Sequence, residues 1–238
     1  MRQKRFTVGT DRKEYIIKME FKFSNRISGV QGSAIREIFK YGNRPEVISL
    51  AGGNPAPELF PSKEFAEILA EILAKKPTEA LQYGVTEGYA PLREYVKKFI
   101  AERENIGRDF DETIIVSGGQ QGIDLATKVL VNEGDAVIVE EPSFIGALNA
   151  FRAYGAKLVG VPVKNDGMDI DVLEQKLNET ENVKIIYTIP TFQNPSGVTM
   201  SEEKRKKLYA LAKKYGVVII EDNPYGELTF DGSKVPTI

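Results

Sequence analysis

The stretch Lys184-Ile185-Ile186-Tyr187-Thr188, the helix-length segment Glu202 to Tyr215, and the run Val217-Val218-Ile219-Ile220 decide the fold. A short β-branched run, a helix and a second such run predict two strands joined by a crossover. The rhythm extends back to Asp111: Thr113–Val116 then Asp124–Val131, Ala136–Val139 then Ile145–Tyr154, and Lys157–Val161 then Val172–Leu177. Strand and helix in alternation give an α/β architecture, a mostly parallel sheet flanked by helices. Ligands of such sheets gather at the carboxyl ends of the strands. The residues just after each run are therefore the ones to read for function.

Upstream, the signals are helical. Ser62 is expected to cap a helix carrying Phe65, Ile68, Leu69, Ile72 and Leu73 on one face. Pro91 opens a second, with Leu92, Tyr95, Val96, Phe99 and Ile100 as its stripe and Gly107 beyond its end. Ile35, Ile38 and Phe39 suggest a short helix from Ser33 to Tyr41, and the charged residues before it read as a mobile arm.

Composition narrows the chemistry. The chain has 238 residues, 42% hydrophobic and 28% charged, enough for a proper core. Its net charge of −2 gives no broad attraction to nucleic acid. It contains neither cysteine nor histidine, which excludes disulfides, thiol nucleophiles, serine–histidine triads and most transition-metal sites. No apolar run reaches bilayer length, and Met1 to Tyr15 lacks the apolar core of a secretion signal, so a cytoplasmic protein is expected. Chemistry must rest on Lys, Asp, Glu, Tyr, Ser, Arg or a borrowed cofactor.

At the strand ends, Ser117-Gly118-Gly119-Gln120-Gln121-Gly122 leads straight into a helix, a setting that suits an anion such as phosphate. It is neither a Walker loop nor a dinucleotide turn, and a plain glycine turn is the alternative. Glu140-Glu141-Pro142-Ser143-Phe144 sets an aromatic near the sheet rim, where it stacks on a flat ligand or fills the core. In Phe192-Gln193-Asn194-Pro195-Ser196-Gly197 two prolines and a glycine, counting Pro190, constrain one Asn amide. Glu221-Asp222-Asn223-Pro224-Tyr225 puts a carboxylate at the end of a buried strand, which needs a partner: a protonated ring nitrogen, a metal such as Mg²⁺, or a helix start to cap.

In this order the motifs resemble the fold-type I, pyridoxal-phosphate (PLP)-dependent aminotransferases, in the branch of α-aminoadipate, kynurenine and multi-substrate aromatic enzymes. Ser49-Leu50-Ala51-Gly52-Gly53-Asn54-Pro55 and Leu81-Gln82-Tyr83-Gly84 carry the likeness further, which runs from Ser33 to Ile238. The resemblance implies the aspartate aminotransferase fold, incomplete in this chain. Residues 1–48 would be an arm and the first piece of a small domain, and residues 49–238 the N-terminal part of the PLP-binding large domain. It implies that Ser117, Gly119 and Gln120 cradle the cofactor phosphate and that Phe144 covers the ring, where many relatives have Tyr. Asn194 and Tyr225 would bond the ring oxygen, and Asp222 the pyridine nitrogen. Tyr83 would reach the active site of a neighbouring subunit, hence a homodimer. Arg36, Gly53 and Asn194 would meet the substrate, an aromatic or 2-aminoadipate-like amino acid whose amino group passes to a 2-oxo acid such as 2-oxoglutarate. Asp222 and Tyr225 are the residues of this chain expected to act in catalysis. The family's Schiff-base lysine follows Asp222 in a Ser-x-Ser-Lys-like segment that does not occur here, so no catalytic lysine is assigned and residues 1–238 alone are expected to be inactive. A β-lyase of the same fold, or the sensor domain of a transcription regulator, are the competing readings.

Overall fold

The computed structural model describes residues 24–28, 46–48, 53, 55–230 and 232–238. The expected arm, the Ser33–Tyr41 helix and Arg36 lie outside them.

A five-stranded sheet organises the chain. Its strands are β1 (Ala136–Glu141), β2 (Lys157–Lys164), β3 (Gly167–Met168), β4 (Val183–Thr188) and β5 (Val218–Glu221), in the order β3-β2-β1-β4-β5. The pairs β1/β2, β1/β4 and β4/β5 are parallel, whereas β2/β3 is a small antiparallel hairpin that the sequence reading did not include. Gly167 turns that hairpin at φ +108 and sits so close to Met200 that a Cβ would lie 2.6 Å from its Cγ, so only glycine fits.

The helices are α1 (Asn25–Ser28), α2 (Ser62–Lys75), α3 (Pro77–Leu81), α4 (Ala90–Glu104), α5 (Gly119–Leu130), α6 (Ile145–Ala153), α7 (Ile170–Glu179) and α8 (Glu202–Tyr215). Strand alternation splits the core into two layers. Val137 and Val139 of β1 join Ile185 and Tyr187 of β4 on one face, packed with Ile123 of α5 and Phe151 of α6. Ile138 and Ile186 turn to the other face, against Leu173 of α7 and Leu208 of α8. Phe151 meets Tyr187 edge-on, 5.5 Å between centroids at 69°. Asp169 caps α7 through Val172 N (3.2 Å), Ser201 caps α8 through Lys204 N (3.4 Å), and Gly216 closes α8 at φ 67.

Three expectations need correction. Thr113–Val116 is not a strand of the sheet. Its backbone is engaged elsewhere: Ile115 N donates to Glu87 O (2.9 Å), and Thr113 O accepts from Arg93 Nε (2.5 Å). Ser62 is not a cap; the cap position is Pro61, and the Ser62 hydroxyl donates to Phe60 O at 3.4 Å. The helix expected at Asp124–Val131 begins at Gly119, five residues earlier. The stripe Phe65, Ile68, Leu69, Ile72 and Leu73 of α2 is exposed among the described residues, and so are Leu92, Tyr95 and Phe99 of α4. No helix among the described residues is long and apolar enough to cross a membrane.

Candidate active site

The strand order sends the chain from β1 outward to β2 in one direction and to β4 and β5 in the other. A crevice forms at such a switch point, outside the carboxyl ends of the strands. It holds a cavity of about 200 Å³ bordered by Gly119, Gln120, Phe144, Asn194, Asp222 and Tyr225. Separate chain segments thus meet there, each directed by a local feature of the sequence.

At one end stands α5. Gly118 precedes it at φ 86, a conformation that favours glycine, and turns the chain so that the helix opens at Gly119. The first N–H groups of a helix have no intrahelical acceptors, and with the helix dipole they favour an anion. Ser117 sits just outside the cavity lining, its N–H donating to Gln121 Oε1 at 2.6 Å. Gln120 Nε2 donates to Gly146 O at 3.0 Å and so ties this helix start to the first turn of α6.

Phe144 is the N-cap residue of α6, and its ring packs partly against the first core layer. It lies over Gly146: a Cβ there would stand 2.5 Å from Phe144 Cε1 and Cζ and would also strike Gln120 Oε1. Gly146 therefore makes room for both Phe144 and Gln120.

At the other end is Asp222, directly after β5. Its N–H donates to Thr188 O (2.9 Å), continuing the ladder with β4, and its Oδ2 accepts from the Tyr187 hydroxyl at 2.7 Å. Burial, and then the bond to Asp222, push Tyr187 well above the usual tyrosine range, so it serves Asp222 as a fixed neutral donor. Among the described residues no hydrogen bond occupies Asp222 Oδ1, which is left for a ligand. Between the two ends, Asn194 Nδ2 donates to Tyr225 Oη at 3.4 Å, so two groups able to bond one ligand oxygen lie side by side.

Of the other residues singled out by sequence, Tyr83 is away from the cavity and 99% exposed. Gly53 is exposed, with open space where a Cβ would be, and Arg36 falls outside the described residues. The sequence reading missed Tyr187, Gly146, Glu140 and Gln193. The one available signal was the acidic pair Glu140-Glu141 at the end of an otherwise apolar strand. Among the described residues no group of acidic side chains is placed to hold a metal ion, so the Mg²⁺ alternative finds no ligand set there.

The chemistry of this set suits a flat, phosphorylated, nitrogen-containing ring: helix N–H groups for the phosphate, an aromatic face, a carboxylate for a ring nitrogen, and an amide with a phenol for a ring oxygen. The chain is similar to known proteins. The aromatic-amino-acid aminotransferase 1 of Thermococcus litoralis is 47% identical over 220 residues, covering 91% of this chain and 53% of its own length. The crystal structure of the Pyrococcus horikoshii kynurenine aminotransferase, in complex with PMP, matches with a TM-score of 0.84 at 42% identity, covering 90% of this chain and 54% of that one. LysN, the α-aminoadipate aminotransferase of Thermus thermophilus, complexed with N-(5'-phosphopyridoxyl)-L-leucine, matches with a TM-score of 0.77 at 39% identity, covering 90% and 52%. The chain spans about half the length of the curated relatives it matches. The class I and II aminotransferase family matches residues 45–238, and the chain belongs to that family.

Proposed function

We propose that the protein to which this chain belongs is a cytoplasmic, homodimeric, PLP-dependent aminotransferase. It moves the amino group of an aromatic or 2-aminoadipate-like amino acid to a 2-oxo acid such as 2-oxoglutarate. One observation carries the reading: a single cavity runs from the N-terminus of α5 to Asp222, with Phe144, Asn194 and Tyr225 between them. The relatives support it, being aromatic-amino-acid, kynurenine and 2-aminoadipate aminotransferases by name.

When bound, PLP supplies an electron sink for charge developing at the amino acid's α-carbon. This chain's residues hold and tune the cofactor. Gly119 and Gln120, with Ser117 alongside, hold the phosphate at the helix start, and Phe144 covers one face of the ring. Asp222, braced by Tyr187, pairs with the ring nitrogen and favours its protonated form by direct charge attraction. Asn194 and Tyr225 hold the ring oxygen. Arg36 and Gly53, with Asn194, are assigned to the substrate; a guanidinium binds an acidic side chain and stacks on an aromatic one, which suits broad specificity. Tyr83 is assigned to the neighbouring subunit's site, and its full exposure leaves it available for that reach. The domain division after residue 48 belongs to the same reading.

The test is a ping-pong assay of the complete protein with an amino donor and 2-oxoglutarate. Parallel-line kinetics with aromatic and 2-aminoadipate donors are expected. Elimination without amino transfer would indicate a β-lyase instead.

A further inference from the structure

Glu140 is 2% exposed at the end of β1. Among the described residues no lysine or arginine acts on it, and its carboxyl is pushed upward by burial while three hydrogen bonds oppose that shift. Oε1 accepts from Thr188 Oγ1 (2.7 Å), and Oε2 accepts from Ile189 N (3.1 Å) and Gln193 Nε2 (3.2 Å). A buried carboxyl without a cation adds little stability that a packed apolar side chain would not supply. What it does here is join β1 to the end of β4 and the segment leaving it, where all three donors lie.

Gln193 carries that connection onward. It is 2% exposed, its Nε2 also donates to Pro142 O (2.8 Å), and its Oε1 accepts from Ser196 N (2.9 Å). Its backbone N–H donates to Val198 O (2.9 Å) and its carbonyl accepts from Gly197 N (2.6 Å). Asn194 follows directly, so its direction into the cavity is set by a neighbour bonded on both sides of the loop. The cavity is thereby fastened to β1, a strand whose next residues lead to Phe144.

We propose that Glu140 is a positioning residue of this site: through Gln193 it holds the loop that presents Asn194, beside Tyr225, to the ring oxygen of the bound cofactor. The proposal rests on the reading of the cavity as a PLP site.

Glu140→Gln in the complete protein is the test, because it keeps the shape but offers one acceptor oxygen where the carboxylate offers two. Two measurements are compared with Asn194→Ala and with the double variant. Without cofactor, amide exchange across residues 189–198 is expected to quicken about tenfold or more, the size of one lost charge-assisted bond, while β2 stays protected. With PLP bound, the pH midpoint of its visible absorbance change is expected to shift in the direction seen for Asn194→Ala, and the double variant to shift no further than that single one. A lowered melting temperature with unchanged loop exchange, or shifts that simply add, would overturn the proposal. Gln193→Met cuts the link while leaving Glu140 in place. It serves where Glu140→Gln does not fold, and unchanged exchange and midpoint in it would likewise overturn the proposal. A protein that takes up no PLP sinks the cofactor reading and this inference toward the cofactor. Unchanged loop exchange in a protein that does bind PLP sinks the inference alone.

Discussion

The hydroxyl of Tyr187 donates to Asp222 Oδ2 across 2.7 Å, from the penultimate residue of β4 to the residue that follows β5. The parallel pairing of these strands, with Tyr187 opposite Ile220, makes the bond possible. A hydrogen bond to a charged group is worth about 1.5–3 kcal/mol. If that is felt in the reacting state, Tyr187→Phe lowers kcat about ten- to hundredfold. Steady-state kinetics on the complete protein check this, and an unchanged kcat would show that Asp222 needs no brace.

Asp222 itself is expected to control reactivity more than retention of the cofactor. On the proposed reading, Asp222→Ala removes the charge beside the ring nitrogen but leaves the phosphate grip at Gly119 and Gln120. Transamination should fall by orders of magnitude, while equilibrium dialysis still finds PLP bound. Unchanged turnover removes Asp222 from the mechanism.

Tyr187 also gives the protein an alkaline limit. Burial and Asp222 raise its ionisation in the folded state above the ordinary value of 10.0, which an unfolded chain retains. Its contribution to stability is thus complete below that value and is lost as the pH rises above it. Urea unfolding at about pH 9 and about pH 11 should show the parent losing more stability than Tyr187→Phe. Equal losses would count against a buried, neutral Tyr187.

Gly146 offers a test of the cavity's shape. A methyl group there meets the Phe144 ring at 2.5 Å and collides with Gln120 Oε1. Such overpacking costs about 1–3 kcal/mol. Gly146→Ala should therefore weaken PLP binding about tenfold with a modest fall in melting temperature. A titration showing parent-like affinity would place the ligand elsewhere.

Arg205 supports the loop from beneath. It is 2% exposed and donates to Met200 O (3.0 Å), Pro190 O (2.8 Å), Thr191 Oγ1 (2.9 Å) and Pro236 O (3.1 Å), with Glu221 Oε1 at 3.7 Å. Breaking such a buried charged group costs about 3–5 kcal/mol. Arg205→Ala should lower the denaturation midpoint accordingly, and Arg205→Lys should restore only part of it, since one ammonium cannot span all four acceptors.

What the sequence made legible follows from the range of the forces involved. Runs such as Val137-Ile138-Val139 and Ile185-Ile186 announce buried strands locally, and Glu202–Tyr215 is a helix with the bounds expected. Thr113–Val116 has the same β-branched character, yet strandhood depends on a partner, and the Ile115 N–H and Thr113 C=O bond Glu87 and Arg93 instead. The start of α5 was hidden because Gly119 and Gly122 are poor helix formers, and the turn at Gly118 overrides their preference. The motif residues Phe144, Asn194, Asp222 and Tyr225 could be picked out by their places after strands, and Gly119 and Gln120 by a glycine turn that opens a helix. Tyr187 and Gln193 could not, and Glu140 only as an acidic residue closing an apolar run, because their contacts run between β1, β4 and β5 and exist only once the strand order is known.

The strand order also bears on how the chain is made. β1 lies between β2 and β4, and β4 is the later of its two neighbours to leave the ribosome. Until β4 has emerged, a nascent chain holds Val137, Ile138 and Val139 with one ladder edge bare, and bare edges recruit other strands. Synthesis therefore passes through a stage that invites aggregation, ended by the arrival of β4. A pause in translation while β4 is still inside the ribosome would lengthen that exposure, and a chaperone bound to the bare edge would shield it.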